Sequence, residues 1–297
     1  MPATAVLAHR PSLSPTRART PLHRLGFRTA ASAVLAALAA YTGLPEAPQA
    51  WPQQLLALLP TDVLLLGEQH DAPEHQRLQR EAVQALAARG QLAAVVLEMA
   101  ERGHSTAALA PQASEAQARE ALQWNDAAWP WSAYGPVVMA AVAAGVPVLG
   151  GNLPRAGMRA AMDEAAWDSH LPQPALQRQY QALRDGHCGL LPEAQIAPMA
   201  RIQMARDASM ARTAQEARRP GQTVLLVAGA GHVLRSQGIP THWPADFSSK
   251  VVLALAGQEQ AAIKSEASAT VSTPALPPRD HCAQLRQQWG GEARPGG

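Results

Sequence analysis

Val63-Leu64-Leu65-Leu66-Gly67-Glu68-Gln69-His70 is the stretch whose reading decides the fold. Four consecutive apolar residues stop at a glycine, and three polar side chains follow. The run is too short for a helix and does not alternate as a half-exposed strand would, so it reads as a strand buried on both faces. The same pattern recurs outward along the chain. Residues 93–97, with Val95-Val96, end at Glu98, and Val146-Pro147-Val148-Leu149 runs into Gly150-Gly151-Asn152. Residues 223–228 run into Gly229-Ala230-Gly231-His232, and residues 251–255 follow Lys250. Helix-length stretches lie between them: residues 73–89 repeat apolar positions at Leu78, Ala82, Val83 and Leu86, and residues 136–144 are short and apolar. Strands alternating with helices predict an α/β fold, a mostly parallel sheet flanked by helices and joined by right-handed crossovers.

Residues 155–219 contain no comparable apolar run and read as a smaller helical insertion domain, with helices over 174–184 and 193–217 and a turn at 186–192. The parallel α/β domain is then 51–154 plus 220–257. Residues 258–278 are rich in Ala, Ser, Thr and Pro, which predicts a mobile C-terminal tail over 258–297. In residues 1–50, Arg10, Arg17, Arg19, Arg24 and Arg28 precede an apolar run at 29–44, and prolines and small alanines follow it. A basic region, a short apolar core and a small-residue exit are the layout of an export signal, which places the expected location in the periplasm or otherwise outside the cytoplasm. Cleavage is expected after Ala50, with an uncleaved N-terminal anchor as the alternative; no cysteine follows the run to carry a lipid.

At 297 residues, 47% hydrophobic and 16% charged, the chain can bury a full core. Its net charge is only +2, and 23 of its 25 basic residues are arginines scattered along the sequence, Lys250 and Lys264 being the lysines. That argues against a nucleic-acid partner. Cys188 and Cys282 either form one disulfide, tying the tail to the middle of the chain, or stay as two thiols.

In an open parallel sheet, ligands bind beyond the carboxyl ends of the strands. Here those ends carry Glu68 and His70, then Glu98, then Asn152, then His232. Their shared position predicts one site, and three readings stay open. The carboxylates and imidazoles hold a divalent metal with water, act as catalytic acid and base without one, or bond one another to tie loops together. His75 is a secondary candidate, since five residues from His70 it shares no helical face with it; His104 reads as an exposed loop residue. Trp124, Trp129, Trp131 and Tyr134 fall within one short segment. They form either a small hydrophobic cluster or one wall of a flat apolar pocket with Tyr134 as its polar handle. His187 lies in a polar turn, whereas Arg201, Arg206 and Asp207 read as a solvated or helix-pairing surface.

Taken together, these motifs resemble the ChaN family, bacterial cofacial-haem-binding proteins related to the erythromycin-esterase-like and Tiki-like enzymes. The matching residues are Leu66-Gly67-Glu68-Gln69-His70 with His75, Val96-Leu97-Glu98-Met99, Trp131 with Tyr134-Gly135-Pro136, and Gly151-Asn152-Leu153-Pro154-Arg155. Arg206-Asp207 before Met210-Ala211, Ala228-Gly229-Ala230-Gly231-His232-Val233 and Gly238-Ile239-Pro240 complete the series. The resemblance implies a parallel sheet with a smaller helical domain and two haems stacked between the subunits of a homodimer. Each iron is then held by a tyrosine, with the propionates on a histidine and a lysine of the other subunit. Carried onto this chain, the iron ligand is Tyr134, the propionate histidine is His187, Trp131 is a wall, and Arg201 or Arg206 stands in for the lysine. The implied role is haem and iron acquisition, with outer-membrane haem transport machinery as partner. The enzyme-like relatives imply the alternative, a metal-dependent hydrolase using Glu68, His70, Glu98 and His232.

Overall fold

The computed structural model describes residues 51–257 and 265–292. A short helix α1 (Trp51–Leu56) leads into β1 (Val63–Glu68), α2 (Pro73–Ala88) and β2 (Leu92–Glu101). Next come α3 (Glu115–Ala121), α4 (Trp131–Ala143) and β3 (Val148–Asn152). Three helices follow, α5 (Met158–Asp163), α6 (Gln173–Gly186) and α7 (Glu193–Glu216), then β4 (Thr223–Gly229) and the single-turn α8 (Ala230–Val233). The chain closes with β5 (Ser249–Ala256), β6 (Ala269–Thr273) and α9 (His281–Glu292). The strands form one sheet in the order β3-β2-β4-β1-β5-β6, parallel at every pairing.

Successive side chains of a strand point to opposite faces, and here both faces are covered. Leu64 and Leu66 of β1, with Val95, Leu97, Leu225 and Val227, pack against Leu78, Val83 and Leu86 of α2 and Val137 and Val138 of α4. Val63, Leu65, Val96 and Leu226 pack on the other side against Met210, Ala211 and Ala214 of α7, together with Ile239 and Trp243. This double burial is why the strand sequences do not alternate. α6 and the first half of α7 share a separate small core of Leu176, Leu183, Ile196 and Met204.

Several expectations need correction. The helices of 155–219 are there, but no domain boundary falls at 219, because the second half of α7 is itself a covering helix of the sheet. α4 begins at Trp131, five residues before the expected start at 136, because the Asp126 carboxylate accepts a hydrogen bond from the Trp131 N–H at 2.6 Å and caps its free end. Pro136 therefore lies inside this helix. The third strand runs over Val148–Asn152, not 146–149. The tail is not uniformly mobile. Ala269–Thr273 adds a sixth strand beside β5, since its Thr and Val residues suit an edge strand despite the low-complexity surroundings. α9 is then fastened by a Cys188–Cys282 disulfide with Cα atoms 5.5 Å apart. Among the described residues no helix is long and apolar enough to cross a membrane. The expected export segment at 1–50 and the tail residues 258–264 and 293–297 lie outside the described residues.

Candidate functional site

Glu68 is the last residue of β1 and pairs in register with Gly229, the last of β4. Glu98 follows Leu97 on β2, where the register with β3 breaks before Glu101. Such irregularities re-aim side chains. Gly150 makes this one possible, because a Cβ there would sit 2.0 Å from the Glu101 carbonyl oxygen.

The Glu68 carboxylate is buried and accepts four hydrogen bonds. Oε1 takes the Tyr134 hydroxyl at 2.7 Å and His70 Nδ1–H at 2.8 Å; Oε2 takes Gln76 Nε2 at 2.7 Å and Gln79 Nε2. Glu98, 3% exposed, accepts the Gly229 N–H at 2.7 Å and lies between two imidazoles, 3.8 Å from His70 Nε2 and 3.5 Å from His232 Nε2. His232 Nδ1 donates at 2.5 Å to Asp207, whose carboxylate is buried on α7. The connected groups run Asp207–His232–Glu98–His70–Glu68–Tyr134. The His70 side chain, 39% exposed with the edge of Trp129 against its ring, is the most exposed of these groups, with His232 next at 14%. Gly229 leaves room for it, since a Cβ there would stand 2.8 Å from His70 Nε2.

The charges are mutually set. Burial alone would push Glu98 up, but the charges of His232 and His70, the Gly229 N–H and the Arg206 charge hold it below the usual carboxylate range. Burial opposes a charged His70, yet its hydrogen bond to Glu68 and the charge of Glu98 raise it above the ordinary imidazole value. Against the same opposing burial, Asp207 and Glu98 push His232 up to about 9. Burial raises Asp207 to about 6 in spite of His232. Anionic Glu98 therefore lies between two imidazoles whose protonated forms the site favours, one of them exposed. That arrangement can deliver a proton through His70 and refill it from the interior.

The sequence-derived candidates divide sharply. Glu68, His70, Glu98 and His232 come together as expected. Tyr134 joins them as a donor: it is 1% exposed, its hydroxyl donates to Glu68, and burial beside that carboxylate raises its pKa. A phenolate is what iron would need. Trp131 is buried against Trp124 with its indole N–H on Glu115. His187 bonds its own helix at the Leu183 carbonyl, near Trp289 of α9. Arg201 is consumed by Asp168, held through both carboxylate oxygens, and by the Met162 carbonyl. Arg206 belongs to the acid–imidazole cluster, acting on Glu98 and Asp207, with its buried Nε unpartnered. His75 is structural, accepting the Gln69 N–H and bonding Thr273 of β6. Among the described residues, no group of three or more His, Cys, Asp or Glu side chains is arranged to hold a metal ion. The carboxylates and imidazoles instead face one another in pairs.

Asp207, read from sequence as a surface residue, is the buried partner of His232. Gln76 and Gln79 were not singled out, although polar residues on the buried stripe of α2, beside Leu78 and Val83, were the available signal.

A second concavity, of about 880 Å3, lies between the loop after β2, the residues after β3, α5 and α7. Leu149, Leu153 and Trp167 give it apolar walls, and Arg102, His104 and Arg212 stand among its polar lining.

Fold and site together define a parallel α/β protein with an acid–imidazole cluster at its strand ends. The family model described as haem-binding uptake, Tiki superfamily, ChaN matches residues 55–242, and the chain belongs to that family. The solved ChaN structure of Campylobacter jejuni, described as binding haem cofacially, overlays with a TM-score of 0.60 at 23% identity, over 71% of this chain and 88% of that one. It supports the fold. RRSP, a toxin effector domain from Vibrio vulnificus, reaches a TM-score of 0.39 at 14% identity, over 69% of this chain and 36% of its own. The type III effector HopBA1 reaches 0.39 at 15%, over 72% and 88%. Scores at that level carry no argument. No curated protein sequence matches the chain.

Proposed function

We propose that this chain is an exported haem-binding protein of haem and iron acquisition, acting as a homodimer with an outer-membrane haem transport machinery. The observation that carries the reading is membership, over residues 55–242, of a family described by haem-binding uptake. Export is supported by the arginine-rich start and apolar run of residues 1–50. The strand-end donors do not fit a ferric haem, because the phenol nearest them is sealed and protonated. The 880 Å3 concavity offers apolar walls and guanidinium groups, chemistry that suits an apolar ligand bearing carboxylates. Bound there, haem would supply its iron, and the chain would supply desolvation and carboxylate recognition. Titration with haemin tests the reading: a saturable change in the visible spectrum is expected, and the absence of any change overturns it. Sedimentation with and without haemin tests the dimer.

A specific observation favours a second reading, that the strand ends are an acid–base hydrolytic centre: His70 opens outward from a buried chain of carboxylates and imidazoles. In this reading Glu98 is the base and His70 the acid, without a metal. A screen of peptides and esters tests it, and turnover that Glu98→Gln leaves intact, or no turnover at all, rejects it.

A further inference from the structure

We propose that the stacked pair His170–His242 is an acid-sensitive clasp: when its rings take up protons they part, freeing the turn Ala165–Ser169 from the turn Ile239–His242 and loosening the Trp167 wall of the large concavity. The inference does not depend on what the chain binds. Three observations support it.

First, the two rings join parts of the chain that are distant in sequence. The turn Ala165–Ser169 leads through His170 towards α6, whereas Ile239–His242 follows α8 and is seated on the sheet by Ile239, a member of its core. The imidazole centroids lie 4.1 Å apart with the rings within 10° of parallel. Trp167 meets both, at 5.8 Å from His170 and 5.9 Å from His242. The same indole lines the concavity, so a change in the stack reaches that wall directly.

Second, the closed pair suits neutral rings. The Thr241 hydroxyl donates to the Gly238 carbonyl at 2.8 Å, so it accepts from His170 Nε2 at 3.0 Å and fixes the proton of that ring. His242 Nε2 is buried with no hydrogen-bond partner. A proton added there would have no acceptor, and two protonated rings would set like charges face to face. Both costs vanish when the rings part and meet water. Burial and the neighbouring His170 accordingly hold His242 down at about 3, and burial lowers His170.

Third, no neighbouring charge offsets those costs. α7 brings Arg212 and Glu216 to the His242 side, and these are paired with each other at 2.9 Å. α8 carries His232, which is turned to Asp207 and Glu98. On the turn before His170, Asp168 is held by Arg201 and Glu164 caps Ala166. No carboxylate among the described residues raises the pKa of either ring of the pair. A ring that stays neutral in the closed clasp and titrates at 6.5 once opened favours the open form as pH falls. Between pH 7 and pH 5 one such ring shifts the opening equilibrium about 25-fold.

Hydrogen exchange of the whole chain, resolved by mass spectrometry at pH 7 and pH 5 and corrected for the intrinsic rate at each, reads that opening. In wild type, peptides spanning 158–171 and 239–243 are expected to lose protection about 25-fold while β1 and β4 keep theirs. His242→Phe retains an aromatic ring that takes up no proton and is expected to abolish the loss. His242→Gln is read in its place if circular dichroism shows the phenylalanine variant to be misfolded. Equal protection of wild type at both pH values, a loss spread equally over β1 and β4, or an acid response that a folded His242 variant keeps in full overturns the clasp.

Discussion

Asp207→Asn should flatten the dependence of stability on pH between 6.5 and 9. His232, mostly enclosed, is held at about 9, against an ordinary value of 6.5, by Asp207 and by Glu98. A group whose pKa is raised on folding contributes stability that is fully present below its unfolded value and is lost as pH climbs through its folded value. For His232 that window runs from 6.5 to about 9, or about 2.5 pH units, which at about 1.4 kcal/mol per unit is about 3 kcal/mol. His70 is also raised and acts in the same direction. His75, His170 and His242 are lowered by burial, so their contributions change only below 6.5 and stay out of the window. Asparagine still accepts the hydrogen bond from Nδ1 but removes the charge, leaving Glu98 alone to hold the proton. Urea unfolding followed by tryptophan fluorescence at several pH values from 6.5 to 9 gives the comparison. Wild type should lose about 3 kcal/mol across the range and the variant less than half of that. A decline in Asp207→Asn equal to that of wild type, or a flat wild-type profile, would refute the argument that this pair sets the charge of the site.

Tyr134→Phe removes one of four donors to a buried carboxylate and should cost about 1–2 kcal/mol in chemical denaturation; no loss would mean that the hydroxyl is not engaged with Glu68. Gly229→Ala places a methyl against His70 Nε2, so the His70 resonance in a nuclear magnetic resonance titration should lose its raised pKa as the ring is displaced from Glu98. An unchanged titration contradicts the packing. Gly150→Ala meets backbone, which cannot yield as a side chain can, and should destabilise by about 2 kcal/mol or more in the same denaturant assay. Reduction, or Cys188→Ser, should release α9 to limited proteolysis while residues 51–257 stay resistant, because the disulfide is what fastens that helix to the end of α6. Simultaneous digestion of both would show the disulfide to be needed by the whole fold.

Much of the scaffold was legible in the residues alone. Five short apolar runs, each closing on glycine or a polar side chain, announce strands covered on both faces, and the stretches between them have helical length and period. From that alternation the parallel sheet follows, and with it the meeting of Glu68, His70, Glu98 and His232, because parallel strands bring their carboxyl ends to one edge. These are short-range signals, carried within a few residues of where they act.

What tertiary structure decided is where side chains distant in sequence meet. Asp207 looks like any helical surface acid until α7 is laid across the sheet and its carboxylate comes within 2.5 Å of His232. Tyr134 reads as the polar handle of an aromatic segment, and only the placement of α4 turns its hydroxyl inward to Glu68. β6 was hidden because an edge strand needs only one neighbour and little hydrophobicity, so its composition resembles a loop. The cleft beside His104 had no local signal at all, since it consists of what facing alanines leave unfilled. Periodicity along the chain reports which face of an element is buried, whereas the distance between two faces, and so the pairing of charges and the volume of a cavity, is set only when the elements pack.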